Sequence, residues 1–470
     1  RRVLIAASPG ETRVALTDAG RLIDLRIDRP SARGPCGKIY LGRVEKVLPG
    51  LAAAFVDLGL ERSGFLALAE ARPRRGGGAK DKITDYVNEG MAVLVQVLRD
   101  PVGDKGAKLT ARISLPGRYI VYAPGQDEIK VSRRIGDDGE EIRALLQDVA
   151  EDGEGLIARA ASRTAGRKIL AADLSRLRAQ WESILEIKKS SHPPACLHDG
   201  ENPVYAAVMD FCGADEPEIL VDDPAVIKGL ASSDFAGLIR TYDGGEPIFE
   251  AFAIEEQIEE ALSPMVPLPG GGSLIVEETA ALTAIDVDTG GAGRGAGEAA
   301  LDTNIEAALE AARQIRLRNL CGRLVIDFVG MKNRDNRAKI LKTLRRAVAA
   351  DPLEVHVAGF TPFGLVELTR RRLRAPLSHL MTRPCLACAG AGRVFSAQTL
   401  AVRALAAVLR EAKARPEAVL GIRAGREVRE CLAGPLALAL RQVERKTGRP
   451  LRLEEIEPGG DFEIIEYGGG

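Results

Sequence analysis

Two aspartates stand where strand-forming residues would be expected to be apolar: Asp286 in the run Leu282 to Val287, and Asp327 in the run Leu324 to Val329. A lone carboxylate in apolar surroundings is costly, so each is expected to have a cation or a donor as partner. If the two runs are neighbouring strands, the pair suits Mg²⁺, which takes oxygen ligands and keeps several of its waters. The alternative is a structural ion pair between one aspartate and a nearby arginine. A second candidate centre is Cys385 and Cys388 in MTRPCLACAGAGRV. The C-x-x-C spacing is right for zinc but supplies half of a tetrahedral site. His379 with a distant cysteine such as Cys431 would complete it, or a second copy of the chain would. A redox pair is disfavoured because no thioredoxin-like strand precedes it. The only histidines are His192, His198, His356 and His379, and none is spaced for a two-histidine acid/base pair.

Two further constellations concern polyanions. Phe55 and Phe65 stand in a chain with only 4% aromatics, in one segment with Arg43, Lys46, Arg62, Lys105 and Lys108. Aromatic platforms beside cations hold single-stranded nucleic acid, and the alternative is that both rings fill a core. Arg133, Arg134, Arg159, Arg163, Arg167 and Lys168 form a candidate anion pocket, or else a solvated face.

The elements that must position these residues follow from periodicity. Between the aspartate runs, Leu301, Ile305, Ala308, Ala312 and Ile315 recur at helical steps, with Glu298 and Asp302 in the first turn and Arg313, Arg316 and Arg318 in the last. Gly322 is expected to end this helix. Strand, crossover helix and strand would set Asp286 and Asp327 side by side at one sheet end. Val3 to Ala7, Arg13 to Thr17 and Arg21 to Ile27 read as a meander. From Gly37 to Leu115, five short strands with glycine corners match the arithmetic of an OB-fold barrel, interrupted by a basic, glycine-rich loop from Ala71 to Lys82. A long amphipathic helix runs from Leu170 to Lys188 and carries Trp181. The segment from Gly200 to Pro269, with a helix from Ile248 to Leu262, is expected to complete the first meander, which has too few strands for a core of its own. Beyond Asp327, Asp335 caps a helix, LEVHVAG is a strand, and FTPFGLVELTRRRLR reads as the opening of a basic helix whose Arg370, Arg371, Arg372 and Arg374 partly reach a phosphate backbone. From Ser396 the pattern is helix, strand, helix, strand.

A chain of 470 residues, 46% hydrophobic, is long enough for about three domains. Lys+Arg 65 against Asp+Glu 66 leaves a net charge of -1, so a polyanion would be held by local patches. No apolar run approaches the ~20 residues of a membrane span, and the amino-terminal stretch is too polar for a signal peptide, so the cytoplasm is the expected location. Seven scattered cysteines point to reduced thiols.

Taken together, AAFVDLGLERSGFL, SRRI, GLIAR, LTAIDV, the TN-x-EAA helix, LVIDF, FGLVELTR and the C-x-x-C resemble the catalytic region of the bacterial ribonuclease E/G family in their joint order. The resemblance implies a metal-dependent endoribonuclease for single-stranded RNA, working in rRNA and mRNA processing and decay, on an α/β multidomain fold. It implies an RNase H-like scaffold (residues 1–35 and 196–270), an OB-fold barrel (36–116), a 5′-sensor (117–195), a DNase I-like catalytic subdomain (271–380), a zinc-link (381–395) and a small dimerisation domain (396–470). Carried over by residue, Asp286 and Asp327 hold Mg²⁺, with Mn²⁺ as a substitute, and Asp288 is the third catalytic position, where the family commonly has Asn. Cys385 and Cys388 share a structural Zn²⁺ with a second chain, giving a homodimer or homotetramer. Phe55, Phe65 and Lys105 grip RNA, while Gly117, Val121, Arg134 and Arg159 hold a 5′-terminal monophosphate. The family's Arg-Thr pair in that sensor reads Arg159-Ala160 here. With Gly470 last and no long charged, proline-rich tail, the layout is closer to the ribonuclease G branch.

Overall fold

The computed structural model describes residues 1–71, 81–101, 105–213, 216–230, 234–290, 298–388, 390–456 and 462–467, with backbone alone at 133, 298 and 299. Most of the basic, glycine-rich loop (72–80) lies outside the described residues. The chain forms two compact units, Arg1–Leu380 and Met381–Gly470.

In the first unit, β1 (Arg2–Ser8), β2 (Glu11–Asp18) and β3 (Arg21–Asp28) form the antiparallel meander. The chain then builds a barrel from β4 (Ile39–Leu48), β5 (Ala53–Asp57), β6 (Gly64–Ala67), β7 (Ala92–Arg99) and β8 (Lys108–Thr110). Their order is β4-β5-β6-β8-β7, and pairing of β4 with β7 closes the ring. The barrel is filled by Val44, Val56, Leu66, Val95, Val97 and Leu109. A four-stranded sheet follows from β9 (Leu115–Pro116), β10 (Ile120–Pro124), β11 (Ile129–Val131) and β12 (Glu154–Ala158). The amphipathic helix α1 (Arg167–Ser190) packs on it through Leu170, Leu174 and Leu177. Next, β13 (Ala195–His198) returns to the edge of β4, and α2 (Pro203–Phe211) leads to β14 (Glu218–Val221) and β15 (Ile239–Thr241). These last two strands join β1 in parallel, so the meander gains its core from Val204, Val208, Phe211 and Phe235.

The fourth sheet has the order β16-β17-β18-β19-β21-β20, from β16 (Met265–Pro267), β17 (Ser273–Glu278), β18 (Thr283–Asp288), β19 (Gly322–Asp327), β20 (Val355–Phe360) and β21 (Val366–Arg370). Only β18 and β19 run parallel, joined by α3 (Glu298–Leu317), as a crossover helix requires. α3 and α4 (Arg334–Val348) cover one face, where Ala307, Ala308, Ala311, Ile315, Ile340 and Leu344 meet Ile285, Val287, Leu324 and Ile326. Among the described residues the other face carries no helix of this core.

Three expectations are corrected. FTPFGLVELTRRRLR forms a turn and β21, not a helix, because Val366, Leu368 and Arg370 are buried while Glu367 and Thr369 are exposed, a period of two. α3 is ended by Asn319 in the left-handed region at φ 51°, three residues before Gly322. The helix read from Ile248 to Leu262 is broken at Ala253, φ 50°, into Ile248–Ala251 and Ile254–Leu262.

The second unit contains α5 (Ala397–Ala414), β22 (Val419–Ala424), α6 (Arg426–Ala433), α7 (Ala437–Thr447), β23 (Arg452–Glu455) and β24 (Phe462–Tyr467). After β22, two helices and two strands thus stand where one of each was expected, and the unit packs around a core of Leu405, Val408, Ile422, Val428 and Leu432. Among the described residues no helix is long and apolar enough to cross a membrane.

Candidate functional site

Asp286 of β18 and Asp327 of β19 are direct register partners at the carboxyl ends of the two parallel strands. Both side chains, with Asp288, lie on the open face of the sheet. They are therefore exposed, not buried among apolar groups as the sequence suggested. The strand alternates, with Ile285 and Val287 turned to the helices and Asp286 and Asp288 turned away. Neither Asp286 nor Asp327 makes a hydrogen bond or ion pair among the described residues, so the arginine-paired alternative is not observed. Two adjacent exposed carboxylates without a counter-ion repel each other, and a divalent cation relieves that repulsion. No third carboxylate, histidine or cysteine joins them in a cluster among the described residues. That suits Mg²⁺ better than metals that demand a full protein cage, since Mg²⁺ is commonly held by one or two carboxylates plus phosphate and water.

Asp288 is occupied differently. Its Oδ1 accepts from the Gly290 N–H at 3.1 Å, bracing the chain as it leaves β18. An asparagine carbonyl oxygen could accept the same bond, so this role does not depend on the departure from the family residue.

The strand ends are held by a residue outside the sequence-derived set. Asn304 of α3, 0% exposed, donates from Nδ2 to the Val329 carbonyl at 2.8 Å and accepts from the Val329 N–H at 3.0 Å. It thus fixes the backbone two residues past Asp327. A polar residue inside the stripe Ala300, Ala307, Ala308, Ala311 was the available signal. At its other end α3 is tied to β3. Arg21 donates to Glu310 at 2.7 Å, Arg313 to the Leu22 carbonyl at 2.7 Å, and Arg316 to Asp24 at 2.9 Å. Burial pushes the Glu310 carboxyl up, but hydrogen bonds and charge from Arg313, with Gln314 and Arg21, more than offset this and hold it below its usual range.

On the barrel, Phe55 and Phe65 face outward. Ala54, Val56 and Leu66 point in, so the rings do not fill the core. They are register partners with ring centroids 6.0 Å apart, edge to face. Lys46 lies opposite Phe55 and Lys108 beside Phe65, extending the pair into a row of cation, ring, ring, cation. Lys105 is exposed next to this row. Its loop lies so close to β6 that a Cβ at Gly106 would meet the Ser63 carbonyl at 2.0 Å, so this approach requires glycine.

The candidate anion pocket encloses about 230 Å³, and Ser132, Arg134, Arg159, Ala160, Asp210 and Pro352 are among its lining residues. Arg159 donates to the Gly117 carbonyl at 3.0 Å and to Asp210 at 2.8 Å. Gly117 therefore reaches the pocket through Arg159, while Val121 pairs with Pro116 and Ile157 in the sheet and is not among the lining residues. Arg163 is engaged on the surface by Asp138 at 2.9 Å. Side-chain placement of Arg133 lies outside the described residues.

In the second unit Cys385 is exposed and Cys388 half-buried, and both are free thiols. Backbone N–H groups of Gly392 and Gly390, helped by a hydrogen bond from Cys385, draw the Cys388 thiol below its ordinary pKa. This favours the thiolate that metals bind. Within the described residues Cys431 does not join them in a three-ligand cluster.

These features define a class: a multi-sheet α/β protein in which a closed barrel with an aromatic and cationic surface shares one compact unit with an open carboxylate face. The profile of the ribonuclease E/G family matches residues 114–373, and the chain belongs to that family. It is similar to ribonuclease G of Escherichia coli (strain K12), 35% identical over 474 residues that cover 97% of each chain. Ribonuclease G of Haemophilus influenzae is 35% identical over 427 residues, 87% of each chain. Ribonuclease E of Escherichia coli (strain K12) is 38% identical over 430 residues, 88% of this chain but 40% of that protein.

Proposed function

We propose that the protein is an endoribonuclease that hydrolyses single-stranded RNA at the Asp286 and Asp327 pair, in ribosomal and messenger RNA processing and decay. The observation that carries this reading is the registration at one sheet end of two carboxylates, without partners among the described residues, in a member of the ribonuclease E/G family. We read the meander with β14 and β15 as an RNase H-like scaffold, the barrel as an OB-fold, the sheet β9 to β12 as the 5′-sensor and β16 to β21 as a DNase I-like catalytic subdomain.

Asp286 and Asp327 would hold Mg²⁺, or Mn²⁺ in its place, which when bound supplies an activated water and offsets charge developing on the scissile phosphate. Asp288 braces the backbone just beyond Asp286, and Asn304 the backbone just beyond Asp327. Phe55 and Phe65 would stack two bases, each contributing about 1–3 kcal/mol, while Lys46, Lys105 and Lys108 meet the phosphates. Because water attacks and not the ribose 2′-OH, the products carry 5′-phosphate and 3′-hydroxyl ends. Incubating an AU-rich single-stranded oligonucleotide with Mg²⁺, and in parallel with EDTA, tests the reading. Cutting in the first and retention of binding without cutting in the second are expected. Binding without cutting in both would make the protein a non-catalytic RNA-binding scaffold, and 2′,3′-cyclic ends would exclude hydrolysis by water.

The pocket around Arg159 and Arg134 would receive a 5′-terminal phosphate. Asp210 already occupies Arg159 there, and Ala160 offers no hydroxyl, so discrimination against a 5′-hydroxyl substrate should be modest. Ala160→Thr is expected to raise the preference for 5′-monophosphate by about fivefold, or up to about a hundredfold if the new bond reaches the charged phosphate. A substrate ratio unchanged by this substitution would detach the pocket from 5′-end sensing.

Cys385 and Cys388 would share a structural Zn²⁺ with the same pair of a second chain, giving a homodimer or, with the small carboxy-terminal domain, a homotetramer. Exposed Leu386, Val394 and Phe395 flank the knuckle and offer apolar surface for a second chain to cover. Metal analysis should return half a zinc per chain, and Cys385→Ser should lose the larger assembly. One zinc per chain in a monomer would contradict the shared site.

A further inference from the structure

The turn between β20 and β21 carries Phe363, which is 93% exposed. Nothing in the turn requires an aromatic at this position. Thr361 N–H donates to the Leu365 carbonyl at 2.7 Å, Gly364 N–H to the Thr361 carbonyl at 3.0 Å, and Leu365 N–H to Thr361 Oγ1 at 3.2 Å. Pro362 and Phe363 are thus the two central residues of a hydrogen-bonded turn, closed by Gly364 at φ +93°. Short polar residues and glycine are the usual occupants of the position that Phe363 takes. Leaving a phenyl ring in water forgoes the burial that such a side chain ordinarily gains. Phe360, three residues earlier, is instead used structurally: its ring lies 6.4 Å from that of Phe328, and the Arg337 guanidinium sits 5.4 Å above it. One phenylalanine anchors the turn and the other is held out from it.

Register places this ring beside the paired aspartates. β21 runs antiparallel to β19 with Ile326 opposite Val366, and β20 ends with Phe360 opposite Val366. The turn therefore emerges at the same sheet end as Asp327, one strand away. Neighbouring strands are about 4.8 Å apart and residues about 3.3 Å apart along them, which puts Phe363 within about 10 Å of Asp327, a reach of one or two nucleotides. The chain leaving β19 at this end carries exposed Lys332, Arg334 and Arg337. A ring held clear of the surface, next to cations and to the candidate reacting centre, is the arrangement that stacks a base while its flanking phosphates are neutralised.

We propose that Phe363 is a base-stacking subsite that seats one unpaired nucleobase of the RNA next to the scissile phosphate, with Lys332 and Arg334 on the adjoining backbone. This rests on the endoribonuclease reading above, and it is separate from the barrel row, which belongs to another sheet. The ring is sequence-tolerant, because every base offers a π face, so the subsite would require an unstacked nucleotide at that position and would favour single strands over duplex.

The test uses the full chain and a set of single-stranded oligonucleotides of one cleavable sequence, in which an abasic nucleotide is stepped through each position near the cut. In the wild type one abasic position should weaken binding or raise KM by about 5- to 100-fold. Phe363→Ala should show the same loss on the intact oligonucleotide and no further loss at that abasic position, and Phe363→Trp should restore both. Phe363→Leu, apolar but without a π face, should behave like the alanine variant. Since the residue is exposed, thermal melting of all four proteins should coincide. Unchanged binding and KM in Phe363→Ala, or an abasic penalty that persists in that variant, would overturn the proposal. If the wild type does not cut at all, the endoribonuclease reading fails by itself. The same abasic series read by fluorescence anisotropy in EDTA still decides whether Phe363 stacks a base.

Discussion

Asp327→Asn should lower the rate of RNA cleavage by about a thousandfold or more, with little change in affinity for single-stranded RNA. The amide keeps the shape of the side chain and removes its charge, so half of the anionic pair that would hold Mg²⁺ is lost. Removing a single group aimed at the reacting phosphate typically costs about 10²–10³ in rate, and loss of a metal ligand adds the loss of the metal. Folding should be unaffected, since the carboxylate is exposed and without a partner among the described residues. The barrel row of Lys46, Phe55, Phe65 and Lys108 is untouched, so anisotropy with a labelled oligonucleotide should report near-normal binding. Asp286→Asn should act alike, and the double variant should be little worse than either single one, because the pair works as a unit. Substantial cleavage by Asp327→Asn would remove this sheet end from the reaction.

The largest stability effect is expected at a site with no catalytic role. Arg370 of β21 and Asp351 form an ion pair whose side chains are 0% and 4% exposed, joined at 2.8 Å and 3.2 Å. The same guanidinium donates to Asn319 Oδ1, the Leu320 carbonyl and Cys321 Sγ. Burial lowers the basicity of Arg370, but the charge of Asp351 more than offsets it, so the group stays protonated. Asp351→Ala leaves that cation buried without a counter-ion, which should destabilise the first unit by about 3–5 kcal/mol in denaturant titration. Replacing both residues, Arg370→Met with Asp351→Leu, should recover most of the loss, since a buried pair exchanged for apolar groups is often close to neutral. A single-variant loss below about 1 kcal/mol would mean that water enters this region freely.

Arg370 also illustrates where sequence reasoning stops. LVELTRRRLR is rich in residues common in helices, and its strand pairing with β19 and β20 is nonlocal, so local pattern favoured the wrong element. The pairing of Asp286 with Asp327 was legible because a strand, a crossover helix and a strand have few ways to pack. Which face the aspartates occupy was not, because small Ala284 and flanking Leu282 disguise the alternation of a one-faced strand as a continuous apolar run. The barrel could be read from glycine corners, yet outward placement of Phe55 and Phe65 rests on a period-two register that short strands specify weakly. Asn304 and Asn319 escaped notice for a common reason. Their partners are distant in sequence, the Val329 backbone for one, and the Arg370 guanidinium with the Arg374 and Ala375 carbonyls for the other.

The two attachments of α3 have a mechanical consequence. Its amino-terminal half grips the backbone beyond Asp327 through Asn304, and its carboxy-terminal half is pinned to β3 through Glu310, Arg313 and Arg316. A helix fastened at both ends is a strut: it resists bending and passes load from the amino-terminal meander to the strand end that bears the carboxylate. Local opening of either anchorage should then free the other, so the amide proton of Val329, held by Asn304, and that of Arg318, held by the Gln314 carbonyl in the last turn of α3, should exchange with solvent at a shared opening free energy, as one foldon and not two.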